Sequence, residues 1–454
     1  MLDCTSAPKA VFLGFGSATL PGEYIDKRCR AAAEAIDAAG VELIFMPPVS
    51  EVKNDAQIEI VMKSLESKDY DCVIACISSW MPRWAMMNMF RRFKSTPILL
   101  LGLSGDQTEG YYVSSGAQAV AADLNQVMRD AGFRFLYLAG RRGRKLPTAD
   151  IYDFCVAAKA VKQLKKTRIG MAGFRDMRLY GRNQTIPVND KIGVEIEYFD
   201  IEDLKKSNRK LAPSEVKKLV EELPRRWHFK NTPCPETLEK VVKTYFAIRN
   251  KVEKCGFDGF SFVNNDSIKK HMGYAPAGAL TLLHDEKKIS TIPENDVLGA
   301  TTQAMVRLLT GQVGAYFEIY DFLENGIMLA VPDYVPSEVV EGRVTVIDNS
   351  VDGVGEGIIN VSKVKNGPAT LCRLGCCGGE LKMHISTGDA ERPVRWHEVG
   401  WPPPAPQMPS LDFILSENTD EFVQNVAGMH YIIAYGDHRR KIEFLCRLLD
   451  IDCS

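Results

Sequence analysis

Short apolar runs alternate with amphipathic stretches of helix length through the first third of the chain. AVFLGFG, VELIFMP, CVIACIS, PILLLGL and FRFLYLAG read as five β-strands. The segments Asp26 to Ala39 and Asp55 to Ser67 between them read as helices. Strands that alternate with helices imply a parallel sheet covered on both faces. The pattern restarts after a basic connector, Arg141–Lys145, and a predicted helix, Ile151–Leu164. TRIGMAGF, VEIEYFD, GFDGFSFV and KKISTIP supply four further strands. The long charged stretch among them is predicted helical, and its basic cluster PRRW reads as a solvated face. A helix over Val297–Leu309 closes this second unit, with Gly311 as its C-terminal stop.

From Ala315 onward the hydrophobic period shortens to two. AYFEIYDF, GIMLAV, GRVTVID, GIINVSKV, ATLCRLGC and ELKMHIS predict short strands separated by Gly, Asn or Pro turns. Such a series predicts a small antiparallel barrel or sandwich. WPPPAPQMP is a proline-rich connector, MHYIIAYGD a last strand and Arg439–Leu449 a last helix. The expected architecture is therefore two Rossmann-like or flavodoxin-like α/β domains, then a small antiparallel β-barrel domain and a C-terminal helix. The expected boundaries are 1–150, 151–314 and 315–454, with the first acidic candidate for a metal in the second domain. The GFGSAT turn is not GxGxxG and no Walker sequence occurs, so neither α/β layer is expected to hold a nucleotide.

Composition narrows the class. Apolar residues at 45% and charged residues at 25% are ordinary for a soluble globular protein. A formal net charge of −2 predicts neither a nucleic-acid nor a membrane partner. The N-terminus has no basic region ahead of its short apolar run, and no run is long enough to span a bilayer. The twelve scattered cysteines read as free thiols, so the expected location is the cytoplasm. Cys372, Cys376 and Cys377 lack the paired spacing of a zinc site and read as buried thiols of a strand pair.

Three polar residues stand where a fold needs a reason for them. Glu294 follows the strand KKISTIP and precedes a helix, at the end of a sheet strand where open α/β folds place their sites. Its plainer role is helix capping. Glu318 shares a strand face with Tyr316 and Tyr320, and a carboxylate among aromatics must be paired, metal-bound or solvated. The plainer role there is an exposed sheet face, and Asp321 competes for any ligand role. His430 opens a strand, where a histidine is commonly a hydrogen-bonded structural residue. Two carboxylates and an imidazole together suit Mn²⁺, with Mg²⁺ or Co²⁺ as alternatives, better than structural zinc.

ALTLLHDEKKISTIPENDVLGATTQAMVRLLTG is similar to the segment of L-fucose isomerase-like proteins that carries an acid before a helix. AYFEIYDFLENGIMLAV resembles that family's second acidic strand, and HYIIAYGDHRRKIEFLCRLLDI its C-terminal histidine strand and closing helix. The matches run in order, so the chain resembles the L-fucose/L-arabinose isomerase superfamily along most of its length. The resemblance implies a metal-dependent aldose–ketose isomerase that works through a cis-enediol, with the metal held by Glu294, Glu318 and His430. The catalytic residues would be Glu294 and Glu318, with one or the other taking the C2 proton as general base. It also implies a homo-oligomer, a trimer or hexamer, and an aromatic sugar wall at Trp80, whose plainer role is packing. Pro293 and Asn295 depart from the family's Cys and Gly around the first acid. FVNND and AVPDYVP depart from it elsewhere.

The substrate stays open at this stage. FRDMRLYGR carries Arg175, Arg178 and Arg182 beyond the first strand of the second unit, with Arg175 and Tyr180 as candidate substrate contacts. Arginines there would grip a sulfo or phospho sugar, and sulfosugar isomerases occur among fucose isomerase-like proteins. A solvated loop is the plainer alternative. A non-catalytic carbohydrate-binding protein is the alternative from another class.

Overall fold

The computed structural model describes residues 2–177, 184–208, 211–263, 268–270, 276–287, 289–331, 334–348, 357–393 and 408–454. The chain forms two compact units. One comprises 5–162 and 440–450, and the other 1–4, 163–439 and 451–454. The C-terminal helix Arg439–Leu449 thus groups with the N-terminal unit, not with the β-rich segment that precedes it in sequence.

The N-terminal unit is built on a five-stranded parallel sheet. Its strand order is Glu42–Val49, Lys9–Phe15, Cys72–Ile77, Ile98–Gly102 and Phe135–Ala139. Numbered along the chain, that is the order 2-1-3-4-5 of a flavodoxin-like sheet. Every residue of Cys72–Ile77 is buried, as a central strand covered on both faces requires. A two-stranded hairpin, Asp106–Thr108 with Tyr111–Val113, follows the fourth strand and does not appear in the apolar pattern. Arg440 and Lys441 of the terminal helix pair with Asp150 and Asp153, inside the same unit.

The second unit repeats the parallel pattern. Its four strands run Ser290–Thr291, Gly259–Phe262, Arg168–Ala172 and Glu195–Phe199, again with the first-formed strand second from one edge. The strand expected over KKISTIP shrinks to Ser290–Thr291. The charged stretch forms the helices Pro213–Arg226 and Pro235–Cys255. Trp227 of the PRRW cluster is buried, so that cluster is not wholly a solvated face.

The period-two region closes into a barrel. Its strands, in order, are Gly367–Cys377, His430–Tyr435, Ala315–Leu323, Gly326–Ala330, Ser410–Leu415 and Glu380–Glu391, and the last pairs back to the first. Closure removes the open edges of a sheet. Two expected barrel strands lie elsewhere. Thr345–Asp348 and Ile358–Asn360 join His228–Phe229 in a separate three-stranded sheet. Ser410–Leu415, just beyond the proline-rich segment, takes the place in the barrel. Cys372 is buried there, whereas Cys377 at the strand end is exposed. Among the described residues no helix is long and apolar enough to cross a membrane.

Candidate functional site

The helix Val297–Thr310 lies at the centre of the packing between the parallel sheet and the barrel of the second unit. Its residues are buried along nearly the whole length, so it packs on every side. Gln303 Nε2 donates to the Thr291 carbonyl (3.1 Å) and to the Gly314 carbonyl (2.9 Å), which ties the last parallel strand to the first barrel strand. Thr302 Oγ1 accepts from the Leu374 amide at 3.0 Å, which fixes the helix against Gly367–Cys377. Gly311 ends the helix with φ +74°, the left-handed conformation that a C-terminal glycine supplies.

The turn that leads into this helix holds the candidate acid. Glu294 and Asn295 are consecutive non-glycine residues with φ +75° and +48°. Left-handed backbone costs an L-residue about 1–3 kcal/mol and gathers at functional sites. Here it persists because the turn is fastened from several directions. The Glu294 amide donates to the Phe262 carbonyl at 2.9 Å, and the Asn295 amide to Ser261 Oγ at 2.9 Å. Asn295 Nδ2 donates to the carbonyls of Ala172 (3.0 Å) and Phe174 (3.3 Å). Both partners of that nitrogen are carbonyls, which fixes the amide orientation, and Asn295 Oδ1 is buried with no donor among the described residues.

Capping falls to Asp296, not Glu294. Asp296 Oδ1 accepts from the Gly299 amide at 3.0 Å. The same carboxylate takes the phenol hydrogen of Tyr316 at 2.8 Å and two hydrogen bonds from Arg373, the one to Oδ1 at 3.0 Å. Both members of this ion pair are buried, and the fork of Arg373 matches the carboxylate. A methyl group at Gly299 would lie 2.7 Å from the Tyr316 ring and 2.8 Å from Asp296 Oδ2, so the cluster closes only over a glycine.

With capping assigned to Asp296, the Glu294 carboxylate is directed elsewhere. Its Oε2 lies 3.6 Å from His430 Nε2, and both side chains are buried. His430 is the register partner of Glu318 across the barrel, so those side chains leave the same face. Tyr316 shares that face and stacks on His430, with ring centroids 4.3 Å apart and planes inclined by 9°. Asp321, the competitor for Glu318, is exposed beyond an irregularity in the strand and accepts from the Phe322 amide.

Glu294 and His430 thus meet, and Glu318 flanks them as a half-buried neighbour. Among the described residues no group of three or more His, Cys, Asp or Glu side chains converges tightly enough to hold a metal ion. A buried carboxylate beside an imidazole is suitable donor chemistry for two positions around a divalent ion. Arg175 is half-buried and follows Phe174, whose carbonyl Asn295 holds, so its loop is fastened to the Glu294 turn. Tyr180, Arg178 and Arg182 lie outside the described residues. Trp80 belongs to the N-terminal unit, just past Cys72–Ile77. It is 56% exposed there, beside Gly116, and its amide donates to the Ser115 carbonyl at 2.6 Å. Packing in the core of that unit is therefore not its role.

Comparison with known proteins assigns no family. No family model matches the chain. No curated protein matches it either. Similar solved structures include the periplasmic component of an ABC-type sugar transport system from Hahella chejuensis, with 16% identity and a TM-score of 0.18 over 67% of this chain and 95% of that one. Another is a periplasmic solute-binding protein from Actinobacillus succinogenes with bound D-allose, with 13% identity and a TM-score of 0.19 over 67% of this chain and 92% of that one. TM-scores this low do not establish a shared fold.

Proposed function

We propose that the chain is an aldose–ketose isomerase whose acid–base centre is Glu294 beside His430. One observation carries the reading. A buried glutamate, held in left-handed backbone at the end of a parallel strand, turns away from the helix it precedes and toward a buried histidine. A carboxylate so placed suits proton transfer at a carbon next to a carbonyl. Glu294 takes the proton from C2 of an open-chain aldose and returns it at C1, while the hydroxyl proton of O2 passes to O1, so that the enediol becomes the ketose. The imidazole of His430 stays beside that carboxylate throughout, and burial of both keeps bulk water from competing for the proton. A divalent ion, Mn²⁺ in first place, would supply Lewis acidity toward the two sugar oxygens. Glu294 and His430 would supply two of its donors.

The test is ketose formation from a panel of neutral and anionic aldoses in the presence of Mn²⁺. Wild type converts at least one member of the panel, and His430→Ala loses the activity with the fold retained. A stable sugar complex without turnover on any member would replace the isomerase with a carbohydrate-binding protein.

A further inference from the structure

Tyr316 has no part in the proton transfer, yet it carries a buried phenol and a buried ring that do two different things. Its hydroxyl donates to Asp296 Oδ2 at 2.8 Å. Its ring lies flat on the imidazole of His430 at 4.3 Å. Asp296 is itself fixed twice, by the first turn of the helix Val297–Thr310 through Gly299 and by the guanidinium of Arg373 from the barrel. The hydroxyl cannot swing away without giving up its hydrogen bond to a buried carboxylate. Gly299 lies close beside the ring, where a Cβ would come within 2.7 Å of it. We infer that Tyr316 is a positioning residue, clamped by Asp296 and Arg373, that sets the plane of the His430 imidazole against Glu294.

The inference rests on the reading of His430 as part of the reactive centre, but its geometry can be tested separately. Orientation of a functional histidine by a neighbour is commonly worth one to two powers of ten in activity or in metal affinity. The clamp also explains the local spacing. Glu294 carries the chemistry, and Asp296, two residues on, locks the ring that holds its partner. A glutamate two residues before a helix and an aspartate at the cap therefore act as one device.

The experiment compares full-length wild type with Tyr316→Phe, which keeps the ring, and Tyr316→Leu, which removes it. In protein with isotopically labelled histidine, the His430 signal is identified by its disappearance in His430→Gln. Stacking shifts that signal in wild type and keeps it sharp. Tyr316→Leu is expected to abolish the shift and broaden the signal, while Tyr316→Phe retains most of the shift. On an aldose that wild type converts, Tyr316→Leu should lower kcat by roughly 10- to 100-fold with KM within about twofold, and Tyr316→Phe should recover much of the loss. A His430 signal identical in all three proteins overturns the inference, whatever the activity. If the signal moves as expected and no aldose is converted by wild type, the clamp stands and the isomerase reading falls. If Tyr316→Leu does not fold, Arg373→Lys decides it. A displaced or broadened His430 signal with lowered kcat in that variant supports the clamp, and a His430 signal and kcat equal to wild type contradict it.

Discussion

At the scale of single residues, Glu294, Asn295 and Asp296 divide three tasks. Asp296 caps the helix and binds Arg373, Asn295 fastens two neighbouring carbonyls, and Glu294 is left facing His430. From the sequence Glu294 is the candidate cap, yet aspartate is the better N-cap residue and Asp296 takes that role. Which one caps depends on backbone dihedrals that hydropathy does not encode. The left-handed pair is equally hidden, since Glu and Asn carry no signature of positive φ as strong as glycine's. Removing one partner of a buried ion pair leaves an uncompensated charge. Asp296→Asn is therefore expected to cost about 3–5 kcal/mol, read as a fall in the midpoint of urea unfolding. A loss below about 1 kcal/mol would mean that Arg373 has another anion to turn to. Arg175 makes a different prediction. Its loop is tied to the Glu294 turn through Phe174, and on the proposed function an anionic sugar is the substrate that an arginine there would grip. Arg175→Ala should cut kcat/KM for sulfo or phospho sugars by roughly 10- to 100-fold, the value of one charge-assisted contact. It should leave neutral sugars nearly unchanged. Equal losses on both classes would make the arginine structural.

At the scale of elements, the strands of both parallel sheets are legible because each is an apolar run between helices. The barrel is legible only as a class. Period-two segments show that strands exist but do not say which of them pair. GRVTVID and GIINVSKV have the alternation of barrel strands, yet they pair with His228–Phe229, a partner far away in sequence. SLDFIL has less contrast between its faces and completes the barrel because both neighbouring edges need it. His384, on the barrel strand Glu380–Glu391, was not visible as a special position. Its Nδ1 lies 2.7 Å from the Tyr431 hydroxyl and its ring packs on Phe422. Burial, and secondarily the charge of Arg439, push its pKa down from 6.5 to about 4. The unfolded chain therefore binds a proton near pH 6.5 that the folded barrel refuses until about pH 4. The contribution of His384 is complete above pH 6.5, falls away as the pH drops toward 4, and is flat below that. The full span is on the order of 3 kcal/mol. Unfolding midpoints measured from pH 7 to pH 4 should fall less steeply in His384→Phe than in wild type. Parallel curves would show that the histidine titrates normally.

At the scale of the molecule, two parallel sheets were legible from the restart of the strand–helix pattern near Arg141–Lys145. The grouping of the last helix with the first unit was not. Its apolar face names no partner, and the ion pairs of Arg440 and Lys441 with Asp150 and Asp153 join residues too far apart in sequence to be read from it. Trp80 and Trp84 are both more than half exposed on the N-terminal unit, a costly arrangement for large aromatics that ligand or subunit contact would relieve. The expectation of a trimer or hexamer follows from the same resemblance that places an aromatic wall at Trp80. Light scattering of the purified chain checks it, and a fully active monomer would remove the basis for Trp80 as a contact between subunits. The central claim, that Glu294 moves the proton between C2 and C1, is tested most directly by one comparison. Ketose formation by wild type and by Glu294→Gln is measured on the best aldose of the panel, with matched folding checked by circular dichroism. The account predicts a fall of at least about 10³-fold in kcat for the glutamine variant, as expected when a general base is removed from a centre of this kind. Turnover by Glu294→Gln within a few-fold of wild type would contradict it.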